Sequence, residues 1–212
     1  MDDKITLETW DKVASVYQDK FMDFNLYNES YEFFCSTISK YNPKILDIGC
    51  GPGNITKFLY SKRPDFDIYG IDFSPNMIEL AKKNNPSVRF SVMDCRDISN
   101  FKTTYDGIIC GFCLPYLSGE ECTSFISDCY NLLNHEGILY LSFVDDHPNK
   151  SGYQVSSTGD KVFFHYYRLE DIKKQLIINK FQEINLFKYD YKKSEFTSEL
   201  HIVLTARKCL RF

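Results

Sequence analysis

Residues 44–53, KILDIGCGPG, set an apolar run of strand length directly against three glycines in five positions. An apolar run of four to eight residues closed by turn residues reads as a buried strand. Glycines there let the backbone turn sharply and let a ligand approach without a Cβ in the way. Beyond the glycines the chain keeps a regular beat. A helix is expected from about Asn54 to Ser61, stopping before Pro64, and Ile68–Asp72 is a second strand. Ser74 as N-cap and Pro75 in the first turn open the next helix. Val88–Asp94 and Tyr105–Cys110 are the third and fourth strands. Ser118–Glu121 is a capping box opening a helix whose core face is Cys122, Phe125, Ile126, Cys129 and Leu133, and Gly137–Val144 is the fifth strand. Strand–helix alternation of this kind predicts a parallel sheet with helices on both faces.

On either side the rhythm changes. Upstream, Trp10, Val13, Val16, Tyr17, Phe21 and Phe24 line one face of a helix expected over Thr9–Phe24, and a second helix is expected over 28–41, with Asn28 as N-cap and Tyr31, Phe34, Cys35, Ile38 and Tyr41 inward. Downstream, Gly159-Asp160 signals a hairpin between Tyr153–Ser157 and Val162–Tyr167. A helix over about Leu169–Asn179 and two long strands, about 181–192 and 199–208, close the chain around the polar turn at Lys193-Ser194. The expected fold is a Rossmann-like, doubly wound α/β domain. Its seven-stranded sheet is mostly parallel with the last strand antiparallel, and it carries an N-terminal leader helix and a late β-hairpin insertion. Residues 1–212 are expected to form one domain: a helical leader or lid (1–42), a ligand-binding core (43–144), the inserted hairpin (145–168) and the closing helix and strands (169–212).

Composition excludes several classes. With 43% hydrophobic and 16% aromatic residues the chain has enough apolar surface to order itself. No apolar run approaches 18 residues and the mean hydropathy is -0.33, which argues against a membrane span. The net charge is -4. Segment 180–212 sets Lys180, Lys188, Lys192, Lys193, Arg207, Lys208 and Arg211 against Glu183, Asp190, Glu195 and Glu199. That is a slope rather than a patch, and it disfavours a nucleic-acid partner. The acidic, polar start MDDKITLETWDKV is no signal or transit peptide. Eight Cys, with Cys35, Cys110, Cys122 and Cys129 in apolar-periodic segments, suit a reduced, cytoplasmic protein.

In an open α/β sheet, ligands bind at the carboxyl ends of the strands. Asp72 ends the second strand about 20 residues past the glycines, where a carboxylate can accept both hydroxyl hydrogens of a ribose. Asp94 ends the third at the same edge. A pyrophosphate-bearing dinucleotide is disfavoured, because Pro52 removes a donor from the turn and the third glycine falls one position early.

Four segments in order then carry a family resemblance: ILDIGCGPG (45–53), GIDFSPNMI (70–78), VMD (92–94) and LNHEGIL (133–139). Together they resemble the motifs of class I S-adenosylmethionine-dependent methyltransferases, over almost the whole chain from about Trp10 to Lys208. WDKVASVY (10–17) is similar to the leader helix of the small-molecule branch. The resemblance implies S-adenosyl-L-methionine as cofactor and S-adenosyl-L-homocysteine as product. It implies Asp47 near the methionine amino group, with Gly49, Gly51 and Gly53 admitting the cofactor. Asp72 is implied on the ribose hydroxyls, Phe73 and Met77 flanking the adenine, and Asp94 and the Cys95 N–H on its ring. The Cys110 carbonyl is a further contact so implied.

Methyl transfer from a sulfonium needs alignment and water exclusion first, and a base only where the acceptor loses a proton. His147, just past the fifth strand, and His165, in the inserted hairpin, are the candidates for base or acceptor-binding group, whereas His135 is expected in solvent and His201 in the core or at a sheet edge. Tyr17, Phe21 and Tyr116 are expected as lid or pocket aromatics, with Tyr116 placed beside the reacting groups. The loop GFCLPY (111–116) resembles the Asn/Asp-Pro-Pro-Tyr/Phe loop of amine methyltransferases, but Cys113 and Leu114 replace its first two residues. Cys110-x-x-Cys113 lacks a second pair at metal spacing, so no metal is expected. The acceptor is expected to be a small molecule. The competing readings are a regulatory, non-catalytic cofactor binder, a protein or RNA methyltransferase and, more distantly, an NAD-dependent oxidoreductase.

Overall fold

The computed structural model describes residues 2–156 and 159–209; Ser157 of the expected hairpin and Arg211 of the basic segment lie outside the described residues. In chain order its elements are α1 (Asp2–Lys12), α2 (Ala14–Phe21), α3 (Asn28–Thr37), β1 (Lys44–Ile48), α4 (Asn54–Lys62), β2 (Asp67–Asp72), α5 (Pro75–Asn84), β3 (Arg89–Val92) and β4 (Tyr105–Cys110). Next come α6 (Gly119–Leu132), β5 (Leu133–Val144), β6 (Gly152–Val155), β7 (Lys161–Phe164), α7 (Leu169–Ile178), β8 (Phe181–Lys192) and β9 (Ser198–Lys208).

A strand covered on both faces needs apolar side chains at every position. Ile45, Ile109, Ile138, Tyr140 and Val203 point to one layer, against Tyr31, Phe34, Cys35 and Ile38 of α3 and Ile55 and Leu59 of α4. Their neighbours Leu46, Ile108, Leu139, Leu141 and Leu204 point to the other, against Cys122, Phe125, Ile126 and Cys129 of α6 and Ile172 and Leu176 of α7. The expected seven-stranded sheet results, in the order β3-β2-β1-β4-β5-β9-β8. Within it β1 to β5 pair in parallel, and β9 runs antiparallel between β5 and β8. The amino end of β9 therefore comes to the carboxyl edge of the parallel strands, with His201 beside Val144.

Outside the sheet, β6 and β7 form a separate antiparallel hairpin pairing Gly152–Val155 with Lys161–Phe164. It packs on α1. The Thr9 hydroxyl donates to the Lys161 carbonyl (2.8 Å), the Phe163 N–H to the Thr6 hydroxyl (3.2 Å), and the Lys12 ammonium meets Asp160 at 2.7 Å. From the other side, the His165 N–H donates to the Pro115 carbonyl at 2.7 Å. Leader and insertion thus clasp over the carboxyl edge of the sheet. No helix among the described residues is long and apolar enough to cross a membrane.

Several local expectations are corrected. The leader is two helices, broken at Val13 (φ −93°, ψ 9°); the break changes the phase, so that Val16 is 69% exposed while Tyr17 and Phe21 turn inward. Tyr27, not Asn28, takes the cap position of α3, without a side-chain cap bond. That helix stops at Thr37 because Ile38 is extended, which leaves Tyr41 in solvent. Leu133 begins β5 rather than ending α6, pairing with Tyr105 ahead of an irregularity at Glu136 (φ 63°). The caps expected at Ser74 and Ser118 are present, the latter as a full capping box.

Candidate functional site

One cavity of about 550 Å³ opens at the carboxyl edge of the sheet under the clasp. Its first end is built by the turn after β1. Gly49 (φ 66°) and Gly51 (φ 53°) line the wall in left-handed backbone, and a Cβ on Gly51 would lie 3.6 Å from the Tyr17 ring. Asp72, at the end of β2, reaches across this turn: the Gly51 N–H donates to Oδ2 and the Ser74 N–H to Oδ1, both at 2.9 Å. Burial nevertheless pushes its carboxyl up to about 6, with the Asp11 charge adding to the effect. That second aspartate, Asp11, also ties the leader down, since its Oδ1 accepts from the Ser74 hydroxyl (2.7 Å) and the Asn76 N–H (2.8 Å).

Asp47 stands behind the wall, fully buried. Thr56 donates its hydroxyl to Oδ2 at 2.6 Å, while Oδ1 has no hydrogen-bond partner among the described residues. Burial pushes its carboxyl up to about 7; the Thr56 hydroxyl opposes this and the Asp72 charge reinforces it. A buried carboxylate oxygen without a donor is costly unless a donor or cation meets it. Asp47 thus leaves one unpaired carboxyl oxygen buried behind the glycine turn.

Phe73, Met77, Asp94 and Cys95 also line the cavity, as do Tyr17 and Tyr116. Asp94 is already engaged, its Oδ1 accepting from the Arg96 N–H (2.9 Å) as the cap of a short 3-10 turn. Tyr116 and Tyr17 both stand edge-on to Trp10, their ring centroids 5.6 Å from it. The remaining expected residues do not line the cavity. Gly53 caps α4 and abuts α5, where a Cβ would fall 2.4 Å from Asn85 Nδ2. Cys110 is buried in the sheet between Ile48 and Leu141. His147 is exposed, its Nδ1 accepting from the Asn149 N–H, and the His165 ring packs at 4.8 Å on Phe163; neither histidine is on the wall.

The opposite end holds what sequence reasoning set aside. His201 is buried and lines the cavity. The Tyr27 hydroxyl lies 2.6 Å from its Nδ1, and Glu199 Oε2 lies 3.4 Å from its Nε2. Tyr191 stacks on the imidazole with centroids 4.7 Å apart and planes 14° from parallel, and Phe112 tilts against it at 4.7 Å. Phe112 is itself held in left-handed backbone (φ 55°), its N–H donating to the Ser142 hydroxyl at 2.8 Å. Burial pushes the Glu199 carboxyl up, but hydrogen bonds from His201 and Lys193 outweigh that and hold it below its ordinary value. The signal that could have found this end was the alternation of Glu199, His201 and Val203 on one face of a strand whose start reaches the ligand edge.

A parallel sheet in this order, with a glycine turn after its first strand and an acid after its second, is a doubly wound α/β arrangement whose ligand edge lies at the carboxyl ends of the strands. Known proteins agree with that arrangement. The methyltransferase domain family matches residues 45–137. A carboxy-S-adenosyl-L-methionine synthase of Campylobacter hominis is 28% identical over 143 residues, covering 62% of this chain and 59% of that protein. A demethylmenaquinone methyltransferase of Thermotoga maritima is 25% identical over 141 residues, covering 65% and 61%. The chain thus spans about three fifths of the length of these relatives. In fold it is similar to the 1,6-didemethyltoxoflavin-N1-methyltransferase of Burkholderia thailandensis, solved with S-adenosylhomocysteine bound (TM-score 0.72, 15% identity, 98% of this chain and 88% of that one). Residues 45–137 thus match the methyltransferase domain family, and the chain as a whole shares the fold of this S-adenosylhomocysteine-bound methyltransferase.

Proposed function

We propose that this chain transfers a methyl group from S-adenosyl-L-methionine to a small-molecule acceptor by in-line displacement, releasing S-adenosyl-L-homocysteine. The observation that carries the reading is the acidic end of the cavity, where Asp72 and the orphaned oxygen of Asp47 flank two left-handed glycines. Such an end fits a cationic amino-nucleoside. In that reading Gly49 and Gly51 admit its backbone-like portion, Asp72 takes the ribose hydroxyls with the lone pairs its two N–H donors leave free, and Phe73 and Met77 flank the base. Asp47 attracts the ammonium from behind the wall. The bound sulfonium supplies an already activated methyl group. What the protein adds is alignment and the exclusion of water by the clasp.

A small acceptor is supported by the size of the cavity, about 550 Å³, and by the names of the relatives, a carboxy-S-adenosyl-L-methionine synthase and a demethylmenaquinone methyltransferase. Residues 1–212 act as one domain in this reading, with 1–42 and 145–168 serving as its cover. The eight free thiols suit a reducing cytoplasm.

The test is the thermal midpoint of wild type and Asp72→Ala with S-adenosylmethionine, S-adenosylhomocysteine or NADH. A ligand at 100 times its Kd stabilises the native state by about 2.7 kcal/mol. The expected result is an upward shift with both sulfur nucleosides, much reduced in Asp72→Ala. No shift with either would overturn the reading, and a shift with NADH alone would replace it by hydride transfer.

A further inference from the structure

Two ends of the cavity differ in chemistry. By the strand order, four strand spacings of about 4.8 Å separate β2 from β9, so Asp72 and His201 stand roughly 19 Å apart across the edge. Between the nucleoside end and β9 the wall is aromatic: Phe21, Phe24, Phe112 and Tyr191. Among the described lining residues at the β9 end, Glu199 is the one formal charge; the lining cations, Lys4 and Arg96, belong to α1 and to the turn after β3.

We propose that Tyr27, His201 and Glu199 form a proton relay facing the acceptor, and that the acceptor is an uncharged, flat, largely apolar molecule presenting an N–H or O–H. The inference rests on the methyltransferase reading and deepens it. Its orientation comes from the hydrogen bonds. Glu199, an acceptor only, takes the proton of Nε2. Nδ1 then carries the lone pair, and the Tyr27 hydroxyl donates to it. The Tyr27 oxygen keeps its own lone pairs for a donor from the cavity it lines.

In the transfer step, the acceptor nitrogen or oxygen bonds the methyl carbon while the methyl–sulfur bond breaks and its electron pair stays on sulfur. The acceptor proton passes to the Tyr27 oxygen as the Tyr27 proton passes to Nδ1, and the resulting imidazolium is held by Glu199. Proton and charge balance without any further reactant. An anionic acceptor is disfavoured by the same geometry, because it would meet the Glu199 carboxylate, whose neighbouring cation, Lys193, is already paired with it at 2.7 Å and does not line the cavity. It would also have no proton to give the relay.

Groups facing His201 come from every element packed on it: Tyr27 ahead of α3, Tyr191 from β8, Phe112 from the loop after β4, and Glu199 from its own strand. Lys193 bears on it through Glu199 (2.7 Å), and Tyr166 faces that carboxylate. A purely structural role for the Tyr27–His201 bond would move stability alone, so the test reads a spectrum.

The full chain loaded with S-adenosylhomocysteine is titrated with 4-nitrophenol and with 4-nitrobenzoate, which share a frame and differ in charge. The phenol is expected to bind at least about tenfold more tightly, ~1.4 kcal/mol. Bound, it should absorb as the phenolate at a pH where the free phenol is still protonated. That absorbance should vanish in His201→Gln and in Tyr27→Phe. A midpoint shift of each variant with S-adenosylhomocysteine certifies that it is folded. Failure of the phenol to bind, equal binding of the two probes, or phenolate absorbance that persists in folded His201→Gln would overturn the relay. Failure of wild type to respond to S-adenosylhomocysteine would instead strike the methyltransferase reading beneath it.

Discussion

At the scale of single residues, the acidic end of the cavity is held in tension by its own burial. Asp47 and Asp72 have their carboxyls pushed up to about 7 and about 6, against roughly 4 in an unfolded chain. A folded state that binds a proton more tightly than the unfolded one is favoured at low pH. The contribution of Asp47 is therefore complete below about pH 4 and is lost as pH rises through about 7. Urea midpoints of the ligand-free chain should fall across that window relative to Asp47→Asn, by the equivalent of up to about 4 kcal/mol. A flat difference between the two proteins from pH 4 to 7.5 would contradict this. Binding of S-adenosylmethionine should strengthen over the same interval, since its ammonium favours the ionised pair.

Elements show best what a sequence discloses and what it hides. Caps are local, so Ser74 with Pro75 and the Ser118–Glu121 box were legible. The paired faces of the strands were legible too, because burial on both sides leaves an unbroken apolar run in Ile45–Ile48 and Ile138–Val144. The phase break at Val13 was not, because a leader helix that straddles two neighbours has no single apolar stripe. Nor could sequence spacing separate glycines that face a ligand from one that serves packing. Gly49 and Gly51 line the cavity, whereas Gly53 lets α4 start against α5. Gly53→Ala would force a Cβ into Asn85 and an L-residue to φ +81°. It should cost about 1–3 kcal/mol in chemical denaturation, and S-adenosylhomocysteine affinity should change less than stability does. His201 escaped because its meaning depends on register across the sheet: only the pairing with Val144 brings it to the ligand edge.

On the scale of the whole molecule, the cavity is closed by segments some 150 positions apart in sequence, joined through Thr6, Thr9, Lys12 and their partners on the hairpin. Two of these links are single hydrogen bonds, each worth about 1 kcal/mol. The double variant Thr6→Val, Thr9→Val should raise amide exchange across Lys161–Phe164 by roughly fivefold per bond lost. S-adenosylhomocysteine should slow exchange there in wild type. Unchanged exchange in the variant would mean that the clasp is held by its ring contacts, such as Tyr116 on Phe164.

The antiparallel insertion of β9 also sets an order of manufacture. The residues that surround the nucleoside end, from Asp47 to Asp94, leave the ribosome more than a hundred positions before Glu199 and His201. At about 5–20 residues per second, that is a delay of roughly 5–20 s. During it the nascent chain has the glycine-turn end of the cavity, the proposed cofactor cradle, but lacks the β9 wall proposed to face an acceptor. A nucleoside taken up in that interval could template the half-built sheet well before any methyl group has somewhere to go.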